Sequence, residues 1–367
     1  MPGPIALAVS GGGDSIALLK TASVWARAHD RKLHVLTVDH GLRAAAREEA
    51  DFVASLAAAL GHDFTQLTLT DLRPVQAETR LARQRVLARA CREIGAQILL
   101  TGHTLDDQLE TFLMRLRQGS GVYGLGGIDR TAPSPAWPEG RRVILVRPFL
   151  SLSRHALRAA LQAEGQDWRE DPSNQDSSYE RVRMRKLLAG DAAMRERTFR
   201  LHAAFAVLRR AEQTVLAGEA EARLAVHGDG SVVASLRDLS VARAERLLAL
   251  GIQLAAGTAR MPRRSQILPV LEALDSPGVR FTCSGAWLEI QAPGRVRLTR
   301  DPGMVEREWQ DGVWDGRFEV WHGPALAEAH PMAARSLPDD TSGWRALGQG
   351  RLARICDIWR RMSLLSQ

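Results

Sequence analysis

The chain has 367 residues, 45% of them hydrophobic, and a formal net charge of +7. That length exceeds one average domain, so two or three are expected, and the basic balance suits a polyanionic partner or reflects general arginine usage. No uncharged apolar run approaches about 18 residues, which argues against a membrane span, and Cys91, Cys283 and Cys356 lie too far apart for a zinc knuckle, a cluster motif or a disulfide framework, so a cytoplasmic setting is expected.

Ile5 to Val9 is an apolar run suited to a buried strand. It breaks into Ser10-Gly11-Gly12-Gly13-Asp14-Ser15 and resumes as a helix from Ile16, with Leu18, Leu19, Ala22 and Trp25 at helical spacing. A strand, a glycine turn and a helix start make an anion site, because first-turn N–H groups lack partners and the macrodipole is positive there. Ser10 and Ser15 can add hydroxyl donors, and Asp14 can cap the helix or hold a cation. Neither the Gly-Lys-Ser/Thr ending of a Walker loop nor G-x-G-x-x-G is present. No secretion signal is read ahead of this strand.

Lys32 to Asp39 reads as a second strand, ending in Asp39-His40-Gly41-Leu42-Arg43, where open α/β sheets place ligand-binding groups. A helix from Ala44 to Leu60, a strand from Phe64 to Leu69, a basic helix from Thr79 to Ile94 and a strand from Gln97 to Thr101 continue the alternation. The pattern predicts an α/β, doubly wound parallel sheet, then a helical domain and a small mixed C-terminal region.

Gly102-His103-Thr104-Leu105-Asp106-Asp107-Gln108-Leu109-Glu110-Thr111 follows the fourth strand and opens a helix. Asp106 and Glu110 are four apart and Asp107 and Glu110 three apart, so these acids share a face. They repel unless a cation, Mg²⁺ or a ligand ammonium, sits among them; the alternative is an acidic cap and solvated first turn. His103, at a strand's carboxyl end beside acids, joins the candidates. The glycine-rich stretch Gly119 to Ile128 either covers a ligand or is simply flexible. Ser153 can cap a helix from Arg154 to Glu164, and Tyr179 to Leu187 is a basic helical run, either solvated or facing phosphates.

A long helical pattern from Asp191 to Val226 marks a domain change. A β-like piece from Ser231 to Leu236, helices from Val241 to Ala255 and Ser265 to Leu274, and paired strands from Phe281 to Arg300 follow. The remainder, with Trp309, Trp314, Trp321, Trp344 and Trp359, reads as a small strand-rich tail whose tryptophans pack a core, with base stacking as the sharper alternative. The expected domains are 1–190 as the α/β part, 191–275 as a helical part, and 276–367 as the tail.

Ser10 to Ser15 resembles the SGGxDS loop of the PP-loop ATP pyrophosphatases. With Asp39 to Arg43, Gly102 to Thr111, Gly119-Ser120-Gly121, Arg147-Pro148 and Glu170-Asp171-Pro172-Ser173-Asn174, in order across the first half, the sequence is similar to the tRNA(Ile)-lysidine synthetases. The resemblance implies an ATP- and Mg²⁺-dependent enzyme. It would adenylate O2 of the first anticodon cytidine and let free L-lysine displace AMP, so that the tRNA reads AUA. It implies ATP binding by Ser10, Gly11, Gly12, Gly13, Asp14, Ser15 and Asp39. Catalysis falls to Asp14, His103, Asp106 and Arg83, lysine binding to Asp107 and Glu110, and the metal to Asp14 and Asp106. The implied partners are an isoleucine tRNA with a CAU anticodon and free lysine, with a homodimer as a further expectation and no membrane. The sequence departs from the family at Thr104, where a second His is frequent, and at Arg80-Leu-Ala-Arg83-Gln84, which lacks the usual aromatic. The rivals are a tRNA thiolase, which would want paired cysteines, an ammonia-using synthetase, and a non-catalytic binding module.

Overall fold

The structure is a computed structural model that describes residues 3–39, 44–69, 76–170, 178–305, 309–310, 312–320 and 344–364. His40 to Arg43 and Asp171 to Asn174, which carried part of the resemblance, lie outside the described residues. The chain forms two compact units, Met1–Pro135 with Arg142–Ala211, and Ala136–Arg141 with Glu212–Gln367.

The first unit alternates β1 (Ile5–Ala8), α1 (Gly13–Ala28), β2 (Leu33–Asp39), α2 (Ala44–Ala59), β3 (Asp63–Thr68), α3 (Gln76–Glu93), β4 (Ile98–Thr101) and α4 (Leu105–Arg117). The short α5 (Val122–Leu125), β5 (Thr131–Pro133) and β6 (Ile144–Val146) follow, then α6 (Arg154–Ala163), α7 (Glu180–Gly190) and α8 (Ala192–Arg223). The sheet order is β3-β2-β1-β4-β6-β5, parallel except for β5 against β6. This is the doubly wound α/β fold that the alternation predicts.

β1 is buried along its whole length, as expected where helices cover both sheet faces. Its side chains divide by the period of two. Ile5, Leu7 and Val9 pack with Ile16 and Leu19 of α1 and Leu157 and Leu161 of α6. Ala6 and Ala8 face the other way, against Leu87, Ala90 and Cys91 of α3. A third apolar cluster joins Leu109, Phe112 and Leu113 of α4 to Met184 and Leu188 of α7.

β2 and β4 flank β1 on opposite sides, so the winding direction reverses between β1 and β4. Ala8 is in register with Thr101, so the two strands end together. The segments that leave them, Ser10–Ser15 and Gly102–Thr104, therefore emerge side by side at the switch point, where open α/β sheets bind ligands. Gly102 is required by this closeness. A Cβ there would stand 2.9 Å from the Asp14 carbonyl oxygen and 3.1 Å from its carbon.

The second unit holds an antiparallel sheet of β7 (Leu224–Val226), β8 (Val232–Ser235), β9 (Arg280–Cys283), β10 (Ala286–Ala292) and β11 (Arg295–Arg300), with α9 (Val241–Ala256) and α10 (Arg264–Glu272). A second sheet of β12 (Trp309–Gln310), β13 (Val313–Trp314), β14 (Phe318–Val320) and β15 (Trp344–Ala346) precedes α11 (Gly348–Leu364). The C-terminal region is thus mixed α/β with small antiparallel sheets. Its last segment is a 17-residue helix, which buries Leu352, Cys356 and Trp359 at helical spacing. Trp314 and Trp359 are buried packing residues.

Gly102→Ala should cost about 1–3 kcal/mol, because the clash is with backbone and not with a side-chain tip. Urea unfolding checks this, and a substitution without effect would mean that the two loops are not held together as described.

Candidate functional site

The glycine turn is shaped by Ser15. Its hydroxyl accepts from the Ser10 N–H at 3.1 Å and donates to the Gly12 carbonyl at 2.8 Å. Ser15 therefore braces the turn, and the Ser10 hydroxyl lies 3.4 Å from its own. Gly11 has φ +84°, which favours glycine, and its carbonyl accepts from the Arg169 N–H at 2.9 Å. Trp168 and Arg158 pack over Gly13, at 3.5 Å from where a Cβ would be. A side chain at Gly13 would crowd that cover.

Asp14 stands in the first turn of α1, and its Oδ2 accepts from Arg154 Nε at 2.9 Å. Its Oδ1 is buried and has no hydrogen-bond partner. Burial raises its carboxyl above the ordinary carboxylate value, against the pull of Arg154 and Arg158 and with a push from Asp107.

Thr104 is the N-cap of α4. Both its N–H and its hydroxyl donate to Asp107 Oδ2, at 2.8 and 3.0 Å. Asp107 thus acts as a cap, although it is buried and not solvated. One oxygen caps the helix, and Oδ1 stays for cations, 3.5 Å from Arg154 and 3.7 Å from Arg181. Burial favours the neutral acid, but Arg154, the Thr104 N–H, His103 and Arg181 outweigh it and hold Asp107 below the ordinary value.

Glu110, one turn on, has a side chain only 1% exposed. Its Oε1 accepts from Arg185 Nε at 2.8 Å and lies 3.5 Å from Arg154. Its Oε2 has no hydrogen-bond partner, and Arg181 Nε stands 3.7 Å away. Asp106 is spent differently. It accepts from the Arg154 backbone N–H at 2.7 Å and pairs with Arg195 at 3.0 Å, tying α4 to the starts of α6 and α8.

His103 Nδ1 lies 3.0 Å from Thr101 Oγ1. Burial lowers its imidazole to about 4, with Arg147, Arg80 and Arg181 pressing the same way and Asp107 opposing, so it is neutral at pH 7. Arg83 of α3 is lowered by burial and by Arg80, and its Nε has no hydrogen-bond partner. Asp39, at the end of β2, accepts from Gln66 at 3.3 Å.

The structure thus brings Asp14, Asp107 and Glu110 into one ion-pair network, which Asp106 joins through the Arg154 backbone N–H. Arginines of this chain stand among the acids. Sequence reading missed Arg154 and Arg195, and it took Arg181 and Arg185 as solvated or facing phosphates and not as partners of these acids. Arg181 and Arg185 could have been found, since an i,i+4 pair shares a helix face; Arg154 carries no local signal beyond the Ser153 cap, whose hydroxyl accepts from the Ala156 N–H at 3.1 Å.

Residues 2–191 match the family profile described as a PP-loop domain. Along most of its length the chain is similar to proteins named tRNA(Ile)-lysidine synthase. That of Hyphomonas neptunium is 43% identical over 275 residues, 75% of this chain and 75% of the relative. That of Caulobacter vibrioides is 36% identical over 97% of this chain and 82% of its own, and that of Ruegeria pomeroyi 35% over 100% and 88%. The chain belongs to the tRNA(Ile)-lysidine synthase family of PP-loop enzymes. Among solved structures it is similar to a U34-tRNA thiolase of Methanococcus maripaludis at 15% identity and a TM-score of 0.48, too distant to carry an argument.

In this family member the glycine-rich stretch is held down. Arg115 Nη1 donates to the Gly124 and Gly127 carbonyls at 2.7 and 2.9 Å, and Arg209 Nη1 to Gly127 at 2.6 Å. Gln108 exchanges two bonds with the Ile128 backbone, at 2.7 and 2.6 Å. Gly127 has φ +79°, and a Cβ there would fall onto Gln108 and His202. The glycines answer close approach by side chains. The three cysteines are all buried and apart, in contrast to the paired sulfur ligands that the thiolase rival would want.

His103 and His202 are both lowered from 6.5 to about 4, chiefly by burial. Folded values below the unfolded one mean that the stability they carry is full above pH 6.5 and is lost as pH falls toward 4. Urea unfolding across that window should show the decline, and a shallower decline should appear in His202→Gln.

Proposed function

We propose that this enzyme ligates free L-lysine to C2 of the first anticodon cytidine of an isoleucine tRNA with a CAU anticodon, in two steps at the β1–β4 switch point. Cytidine O2 attacks the α-phosphorus of ATP and pyrophosphate leaves. A lysine amine then attacks C2, loses a proton, and AMP departs with O2. The observation that carries this is the meeting of the glycine turn and the acid block, each with one buried carboxylate oxygen lacking a partner, Asp14 Oδ1 and Glu110 Oε2.

The N–H groups of Gly11 to Ser15 would cradle the phosphates at the positive end of α1. Among the described residues no cluster of three or more His, Cys, Asp or Glu is arranged to hold a metal ion. Mg²⁺ in nucleotide sites usually takes one or two carboxylates and completes its shell with phosphates and waters, and the unfilled Asp14 Oδ1 fits that demand. Mg²⁺ there would neutralise charge on the departing pyrophosphate. Asp106 is a weaker ligand candidate, since both its oxygens are engaged by Arg154 and Arg195.

Asp107 and Glu110 would receive the lysine ammonium. Asp107, held below the ordinary carboxylate value, suits binding a cation better than removing its proton. His103, neutral, would orient the base without adding positive charge. Arg83, buried with an unfilled Nε, would meet charge developing on the α-phosphate. Ser10 and Asp39 would complete the ATP site, and the chain after residue 190 would grip the tRNA. Among the described residues no helix is long and apolar enough to cross a membrane; a cytoplasmic enzyme would meet its tRNA substrate directly.

The test is a lysine-dependent mass gain on isoleucine tRNA with the CAU anticodon, accompanied by pyrophosphate release. Asp14→Asn, which removes charge without bulk, should reduce turnover at least about a hundredfold with the melting temperature nearly unchanged. Full activity in that variant would remove Asp14 from the site.

A further inference from the structure

Arg154 opens α6 and touches every acid of the site. Its backbone N–H donates to Asp106 at 2.7 Å and its Nε to Asp14 at 2.9 Å. Its terminal nitrogens stand 3.5 Å from Asp107 Oδ1 and 3.5 Å from Glu110 Oε1. These grips are unequal. The bond to Asp14 has the length of a charge-assisted hydrogen bond, whereas the two at 3.5 Å are long. With its backbone fixed by Asp106, the guanidinium can keep Asp14 and give up the other two.

Two further observations say what would take their place. Glu110 is 1% exposed, yet its Oε2 has no hydrogen-bond partner, and a buried acceptor of that kind calls for a donor. The acids Asp14, Asp106, Asp107 and Glu110 are already matched by Arg154, Arg181, Arg185 and Arg195. An entering ammonium therefore finds little net negative charge, and it binds well only if a cation yields.

We propose that Arg154 is a positioning residue that occupies the amine subsite ahead of the amino acid. Its two terminal nitrogens hold Asp107 and Glu110 until the lysine ammonium replaces them, while its Nε stays on Asp14 of the phosphate loop. The proposal rests on the assignment of Asp107 and Glu110 to the substrate amine. Amine binding then is an exchange of cations, and one side chain links the amine subsite to the ATP loop. Only ion pairs exchange; no covalent bond is involved.

Arg154→Met removes the competing cation. Its KM for lysine should fall roughly fivefold, at the low end of coupling between two sites, and its KM for ATP should rise because Asp14 loses its holder. Arg154→Lys keeps one ammonium within reach of Asp14 but lacks the fork. There the KM for ATP should return toward wild type while the KM for lysine stays low. Steady-state lysine incorporation into the CAU-bearing isoleucine tRNA measures both constants, with thermal melting of each variant alongside. A residue that only supports the fold would lower kcat and the melting temperature without lowering the lysine KM. A lysine KM that is unchanged or raised in Arg154→Lys overturns the proposal, and that variant decides alone if Arg154→Met does not fold. Wild-type enzyme that incorporates no lysine would instead overturn the functional assignment, and the amine subsite with it.

Discussion

The first unit depends on a contact between two backbones. β1 and β4 end in register, and the chain leaving β4 passes against the carbonyl of Asp14 at a distance that only glycine allows. That contact places the acid block of α4 beside the first turn of α1. It also creates an electrostatic difficulty, because four carboxylates then share a confined volume. Arginines from α6, α7 and α8 answer it. Such buried pairs roughly break even against their desolvation, so the cluster adds little net stability. Its upkeep makes sense for a site in which charge must be received.

Much of this arrangement was legible in the sequence. Alternating apolar runs predict the doubly wound sheet, and the residues at the ends of β1 and β4 are the ones that meet. The arginine partners were not legible, because Arg154 and Arg185 lie 44 and 75 residues from Glu110 in the chain. Charge on a helix says nothing about what it will face until the helix is placed. The sequence also left two readings of Asp107, as cap or as ligand. Physically they are compatible, since a carboxylate has two oxygens and Thr104 engages one of them.

The glycine-rich stretch shows where composition misleads. Several glycines in a row suggest mobility, yet Gly124 and Gly127 offer their carbonyls to Arg115 and Arg209, whose guanidinium groups are buried among them. Glycine there removes bulk so that side chains can approach, Ser120 at Gly124 and Gln108 and His202 at Gly127. α11 is the converse case. Glycine and tryptophan around it suggested turns and strands, but Leu352, Cys356 and Trp359 recur at a helical period and are buried.

The chemistry of the counter-ions bears on the choice of substrate. Lys20, Lys32 and Lys186 are the lysines of the sequence, and the rest of its 49 Lys and Arg residues are arginine. At the acid cluster this difference has a physical consequence. A lysine in place of Arg154 would carry one compact ammonium, enough for Asp14 or for the Asp107–Glu110 pair but not for both. A guanidinium is planar and more weakly hydrated, and held by Asp14 it reaches the two acids only at 3.5 Å. It neutralises them without satisfying them, so Glu110 keeps an oxygen that a smaller cation can reach. Arginine also stays charged in this buried setting, where a lysine would lose its proton more readily.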